Sequence, residues 1–221
     1  MSHAAHRPSA PRFVKLPSQI AAGVQALRLG LPGGSEAKLL AYVHLLDKWN
    51  RVYNLTAVRE PTQMVSHHVL DALSVVPALA APKRLLDVGS GGGVPGLMLA
   101  LAWPDTQVAM VDSNHKKTAF IQQAAIEMGL KNVTVITSRV ELLKDEAGYD
   151  VVISRAFADT ADFVKWSGHL LAQDGRLAAM KGVHPAEELA RLPAGFRTEK
   201  VLPLTVPGLD AERHLALIVR E

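Results

Sequence analysis

Apolar residues follow two different rhythms along this chain. Between Ser18 and Leu79 they recur at helical spacing, and from Lys83 onward short apolar runs alternate with helical stretches. The first regime predicts a short helix over Ser18 to Leu29, broken by Gly30, Pro32, Gly33 and Gly34. A longer helix follows from Ser35 to Tyr53, with Ser35 as its cap, Glu36 in its first turn, and Leu39, Val43, Leu46 and Tyr53 on one face. A third helix is expected from Thr62 to Leu79, ending near Pro82. In the second regime strands are predicted at 85–88, 107–111, 133–137, 149–154 and 175–181. Helices are predicted between them at 94–102, 116–128 and 159–171, and a short one over 185–192. Two late strands, 198–204 and 214–220, form a hairpin, which makes seven strands in an α/β order. The expected division is a flexible basic tail (1–17), a helical extension (18–82) and a doubly wound domain (83–221).

The run Arg84 to Asp112, RLLDVGSGGGVPGLMLALAWPDTQVAMVD, reads as strand, glycine turn, helix and second strand. Pro95 sits where the helix begins, a position that tolerates its missing N–H. Two frames fit the glycines. Gly91, Gly93 and Gly96 satisfy G-x-G-x-x-G, which brings a pyrophosphate to a helix N-terminus. Asp87-x-Gly89-x-Gly91-x-Gly93 places an acid ahead of the turn, the frame of S-adenosylmethionine (AdoMet) methyltransferases. An acid there suits the cationic, phosphate-free AdoMet and repels a pyrophosphate. Asp112 closes the second strand, where it would bind ribose hydroxyls under either frame. Seven strands with a final hairpin favour a Rossmann-like methyltransferase fold.

Charge and composition narrow the setting. Of the 221 residues 48% are hydrophobic, enough for a full core, and none is cysteine, which removes disulfides, thiolate metal sites and cysteine nucleophiles. No apolar run approaches a membrane span and the N-terminus lacks a signal-peptide core, so a cytoplasmic protein is expected. The net charge of +3 is uneven: residues 1–83 hold nine Lys or Arg against four Asp or Glu. That excess suits an anionic partner and equally an ordinary solvated surface. Trp49 to Thr56 interleaves aromatic and basic residues, either to stack on bases or, more commonly, to cap a packed helix. His67, His68 and Asp71 lack further local ligands, so no metal is expected.

The acceptor chemistry is read at the end of the fourth strand, Ile153-Ser-Arg-Ala-Phe157. The Asp/Asn-Pro-Pro-Tyr pattern that serves exocyclic amines is missing, and pyrimidine C5 methylation would need a cysteine. A purine ring nitrogen, already a neutral lone pair, needs only positioning and no general base. Arg155 would then hold the AdoMet carboxylate or guanine O6, with Phe157 supporting a base; the alternative for Arg155 is an ion pair with Asp87 or Asp159.

Seven pieces in order closely resemble the RsmG family, formerly called GidB, the bacterial guanine-N7 methyltransferases of small-subunit ribosomal RNA. They are Trp49-Asn with Tyr53-Asn-Leu-Thr, His68 with Leu70-Asp71, Asp87 to Gly96, Ser138-Arg-Val-Glu141, Ile153 to Ala158, Lys181-Gly182, and Glu212-Arg-His-Leu215. The resemblance spans residues 35 to 220 and implies methyl transfer from AdoMet to N7 of one guanine in the decoding-region loop of 16S ribosomal RNA. It implies cofactor contacts at Gly89, Val94, Val140, Glu141 and Arg155, to which the glycine frame and strand end add Gly91 and Asp112. Arg139, Lys181, Arg213 and His214 are candidate RNA contacts, being basic and near strand ends or the late hairpin. The expected partner is 16S ribosomal RNA or the small subunit, bound by a monomer without membrane or metal. Departures from the family pattern are the tail 1–17 and Gly92, where many members carry Pro. A small-molecule AdoMet methyltransferase and a non-catalytic nucleotide-binding module are the competing readings.

Overall fold

The computed structural model describes residues 12–155 and 157–221. The first part of the chain is helical: α1 (Leu16–Ala26), α2 (Ser35–Tyr53), α3 (Pro61–Met64), a π-helical turn (Val65–Leu70) and α4 (Asp71–Leu73). A doubly wound unit follows, made of β1 (Arg84–Val88), α5 (Gly96–Ala102), β2 (Gln107–Asp112), α6 (His115–Glu127), β3 (Val133–Thr137), β4 (Tyr149–Ser154) and α7 (Thr160–Ser167). It is completed by β5 (Leu171–Lys181), α8 (Ala186–Leu189), β6 (Phe196–Pro203) and β7 (His214–Arg220).

The seven strands lie in the order β3-β2-β1-β4-β5-β7-β6, all parallel except β7, which runs antiparallel to both β5 and β6. Strand order reverses between β1 and β4, the place where an open α/β sheet opens a crevice at its carboxyl ends. Alternation within the strands explains the two layers. Leu85 of β1 with Val108 and Met110 of β2 faces α5, α6 and the N-terminal helices, while Leu86 and Val88 with Ala109 and Val111 faces α7.

The N-terminal helices share the first of these cores. Leu39, Val43 and Leu46 of α2 are fully buried, and Tyr42 and Trp49 set their rings edge-on to Phe120 of α6 at 6.1 and 5.6 Å. Each such aliphatic side chain is worth about 1.5–3 kcal/mol on burial, so three of them approach the whole stability of a small domain. The helical extension is therefore part of the fold's core. Even residues 12–17 of the segment expected as a flexible tail take part: Phe13 stacks on His44 at 4.3 Å, Leu16 is buried, and Arg12 bonds the Arg59 carbonyl. Residues 1–11 of that tail lie outside the described residues.

Several boundaries differ from the sequence expectation. Gly34, at φ 79°, is the N-cap of α2, and Ser35 is its first helical residue, its hydroxyl donating to the Pro32 carbonyl. Tyr53 turns outward, tilted against Trp49 and under the Lys116 ammonium, because the helix ends there and no second layer covers it. The helix expected over Thr62 to Leu79 contains the π turn and gives way to a 3₁₀ turn over Val76–Ala78. One residue inserted into the α register rotates everything after it by about 100°. The helix expected to end at Leu171 stops at Ser167 and passes through a 3₁₀ turn into β5, which starts four residues early at Leu171.

Candidate active site

The glycine turn is held by backbone and carboxylate together. Gly89 and Ser90 donate to the carbonyl of Val111, Gly93 donates to that of Ser90, and Gly89 takes φ 69°, a left-handed conformation that other side chains strain to reach. Asp112, at the end of β2, accepts from the Gly91 N–H at 3.0 Å through Oδ2 and from the Asn114 N–H at 2.9 Å through Oδ1. From above, the phenol of buried Tyr42 donates to the Gly92 carbonyl at 2.6 Å, and burial holds that phenol protonated by raising its pKa. Nothing local in the sequence marked Tyr42 as a site residue; it lies on the core face of α2, whose register predicts burial and not this bond.

Asp87 lies beneath the turn. It is fully buried, and its Oδ2 accepts from the Gly96 N–H at the start of α5 at 2.9 Å, while Oδ1 has no partner among the described residues. Burial pushes its pKa up to about 7, against the lowering effect of the Gly96 bond. The close approach requires glycine at 96, since a Cβ there would fall 2.7 Å from Asp87 Oδ2 and 2.6 Å from Met110 Cε. This geometry decides between the two glycine frames. The helix N–H that a pyrophosphate would need is taken by Asp87, and the uncompensated carboxylate below the turn favours a cation above it. A phosphate-free ligand carrying an ammonium and a sulfonium therefore fits these residues.

Three neighbouring lobes that share lining residues open along the carboxyl ends of the strands. A central lobe of about 210 Å³ is bounded by the turn (Gly89 to Gly92), Val94, Tyr42 and Arg155. It meets a strand-end lobe of about 460 Å³ at Gly89 and Lys117, and this second lobe is lined by Asp112, Arg139, Val140, Glu141, Phe157 and Trp166. On the other side the central lobe adjoins a π-turn lobe of about 320 Å³ across His68 and Arg155, lined further by Asp71, Lys181 and Arg213.

Arg155 is placed between the central and π-turn lobes by partners far away in sequence. Its Nη1 donates to Asp71 Oδ2 at 2.9 Å and to the His67 carbonyl at 2.8 Å. The alternative reading of Arg155, an ion pair with Asp87 or Asp159, names the wrong acid: the pair is formed with Asp71, which the π turn brings to the end of β4. Asp71 is buried, and its Oδ1 also accepts from Arg213 Nε at 2.9 Å. His68 is buried beside them with Nε2 2.9 Å from the Thr56 hydroxyl; burial, with the Arg155 charge, lowers its pKa to about 3 and keeps it neutral.

The predicted cofactor residues Gly89, Gly91, Val94, Asp112, Val140, Glu141 and Arg155 all line the central or strand-end lobe. The candidate RNA residues do not stay together. Arg139 is exposed and lines the strand-end lobe, Arg213 and Lys181 line the π-turn lobe, and His214 packs its ring near His184 at 5.4 Å. Lys181 spends its ammonium on Glu188 and the carbonyls of Phe157 and Ala158, fixing the segment after β4. Phe157 packs on Phe163 and Trp166 and faces the strand-end lobe, away from the π-turn lobe. Lys117, 3.8 Å from Asp112, is a lining residue that sequence reasoning passed over as an ordinary helical lysine. Among the described residues no three of His, Cys, Asp and Glu are grouped to hold a metal, and no helix is long and apolar enough to cross a membrane.

Comparison with solved structures agrees with this architecture. TrmN from Thermus thermophilus superposes with a TM-score of 0.54 at 21% identity, over 68% of this chain and 48% of that one. A SAM dependent methyltransferase from Aquifex aeolicus gives 0.54 at 18% identity, over 71% and 93%. At the level of sequence, proteins named ribosomal RNA small subunit methyltransferase G are much nearer. The Chromobacterium violaceum protein is 53% identical over 202 residues, 91% of this chain and 97% of its own, and that of Aromatoleum aromaticum is 54% identical over 202 residues, 90% and 96%. Residues 35–216 match the profile of the GidB family, described as rRNA small subunit methyltransferase G. With that match covering most of the chain, and the glycine turn, Asp87 and the strand-end groove inside it, the chain belongs to the rRNA small subunit methyltransferase G family.

Proposed function

We propose that this protein transfers the methyl group of AdoMet to N7 of one guanine in the decoding-region loop of 16S ribosomal RNA. The observation that carries the cofactor half is Asp87: a buried carboxylate with one oxygen spent on the helix N-terminus and the other unpartnered, under a glycine turn. The RNA half is supported by the ribosomal RNA named in the relatives' description. AdoMet, when bound, supplies an electrophilic methyl on a sulfonium. Gly89, Gly91 and Val94 would bound its amino-acid end, and Asp112, Val140 and Glu141 its adenosine end.

The chain's own residues have a modest chemical task. Guanine N7 is a neutral lone pair and releases no proton when methylated, so the site needs positioning and exclusion of water more than a base. His68, neutral and bonded to Thr56, adds no charge to the wall where Arg155 already stands. Arg155 and Arg213 present N–H donors to the π-turn lobe, which suits the acceptor edge of guanine. Exposed Arg139 reaches outward from the strand ends, where it would meet phosphate. A monomer is the proposed working form.

Labelled AdoMet incubated with small-subunit RNA, small-subunit particles and a panel of small nucleophiles tests this function. Incorporation into the RNA or particle, weakening by at least about tenfold between 50 and 200 mM salt, is the expected result, since phosphate contacts release counterions. Efficient methylation of a small molecule, with none of RNA, would overturn the proposal.

A further inference from the structure

One carboxylate in this structure serves two arginines. Asp71 is 2% exposed at its side chain, yet it accepts from Arg155 at the end of β4 and from Arg213 just before β7, each at 2.9 Å. The two side chains, about a quarter exposed, are brought to one wall of the π-turn lobe although they flank different strands of the sheet. Arg155 uses Nη1 on Asp71 and the His67 carbonyl and sets Nη2 3.3 Å from His68 Nδ1, and among the described residues no acceptor takes its Nε hydrogen. Arg213 uses Nε on Asp71 and Nη1 on the Glu212 carbonyl, and among the described residues no acceptor takes its Nη2 hydrogens. Lys181, the other cation of the lobe, is consumed by Glu188 and two carbonyls. The wall therefore offers hydrogen-bond donors, held in place from behind by a single buried acid.

We propose that Asp71 is the positioning residue of the acceptor site, orienting Arg155 and Arg213 as a pair that reads guanine O6 beside the N7 to be methylated and refuses the amino group of adenine. The inference rests on the methyl transfer to guanine N7 proposed above. Guanine presents two acceptors, O6 and N7, on this edge, whereas adenine presents a donor at the place of O6, which would face the guanidinium donors. Reading O6 leaves N7 free for the methyl group. It also needs a guanidinium fixed in plane and direction, which a lysine or an untethered arginine does not supply. The π turn is what makes the arrangement possible, since it sets His67 and Asp71 so that a carbonyl and a carboxylate grip the same Arg155 nitrogen.

The test uses small-subunit RNA, ligated so that the target base is guanine, hypoxanthine or 2-aminopurine, with full-length protein and saturating AdoMet. Hypoxanthine keeps O6 and N7; 2-aminopurine keeps N7 and lacks O6. Wild-type protein should methylate guanine and hypoxanthine at rates within about threefold, and 2-aminopurine at least about 100-fold more slowly, as expected of a site built to bond a polar group. Asp71→Asn should lower kcat on guanine by about 10–100-fold with little change in KM for RNA, and should shrink the guanine to 2-aminopurine ratio towards one. Arg213→Lys, at a partly exposed position that retains the charge, should shrink the same ratio, and it carries the comparison if Asp71→Asn does not fold. Equal slowing of both bases in both variants, or a wild type indifferent to O6, would overturn the role of Asp71 while leaving N7 methylation standing. A wild type that methylates none of the three RNAs would overturn the underlying function instead.

Discussion

Replacing Asp87 with asparagine separates what the buried acid costs from what it does. The carboxyl has a pKa of 3.8 when solvated and about 7 in the fold, a rise caused by burial. A group whose pKa is raised by folding contributes stability fully below its unfolded value and loses it as pH climbs through the folded value. At pH 8 the ionised side chain should therefore burden the cofactor-free protein by about 4 kcal/mol, at 1.36 kcal/mol per unit. Asparagine cannot ionise, and its amide oxygen can keep the Gly96 bond. Its amide nitrogen would inherit the unpartnered place of Oδ1, a pH-independent cost of about 1–3 kcal/mol, so the diagnostic quantity is the pH dependence of the difference. Urea unfolding of both proteins without cofactor should show Asp87→Asn gaining about 3 kcal/mol relative to wild type between pH 5 and pH 8. A difference that stays flat across that range would refute the assignment of a costly buried charge beneath the turn.

Three further outcomes follow from the same geometry. Gly89→Val, at φ 69° in the wall shared by two lobes, should abolish AdoMet binding by calorimetry while leaving secondary structure by circular dichroism intact; retained affinity would exclude the turn as the cofactor's seat. Tyr42→Phe removes the donor to the Gly92 carbonyl and should cost about 1 kcal/mol in unfolding free energy together with a severalfold weaker AdoMet affinity; an unchanged affinity would leave Tyr42 a core residue only. His68 is neutral in the fold with its pKa lowered to about 3 by burial, so its stabilising effect is present above pH 6.5 and lost as pH falls towards 3. His68→Gln should therefore lose about 2 kcal/mol less than wild type between pH 7 and pH 5, and parallel acid profiles would contradict a buried neutral imidazole.

What could be read from the sequence was what is local in it. The strand, turn, helix and strand of residues 84–112 are specified by apolar alternation and glycine density, and Asp87 can be singled out because the dinucleotide frame leaves it unexplained. Legibility fails wherever a partner is distant or a helix departs from its ordinary period. Asp71 stands 84 residues from Arg155 and 142 from Arg213, and no spacing rule links them. Asp87 and Asp159 were the nearer candidates in sequence. The π turn over Val65–Leu70 leaves no mark in hydrophobic periodicity, yet it decides which side chains meet the end of β4. Tyr42 and Lys117 were hidden for the opposite reason: each satisfies the helical pattern so well that its polar end drew no notice. Tyr53 shows the limit of a helical-face argument at a helix terminus, where the next turn that would have covered it does not exist.

The most direct test of the central claim is the position and atom of methylation. Small-subunit RNA lacking the modification is incubated with the protein and AdoMet, then treated with reduction and aniline to cleave the chain at 7-methylguanine, and the break is mapped by primer extension. A single new break in the decoding-region loop is the predicted result. Label in the RNA without chain cleavage would contradict N7 as the acceptor, and cleavage spread over many guanines would contradict a positioned single target.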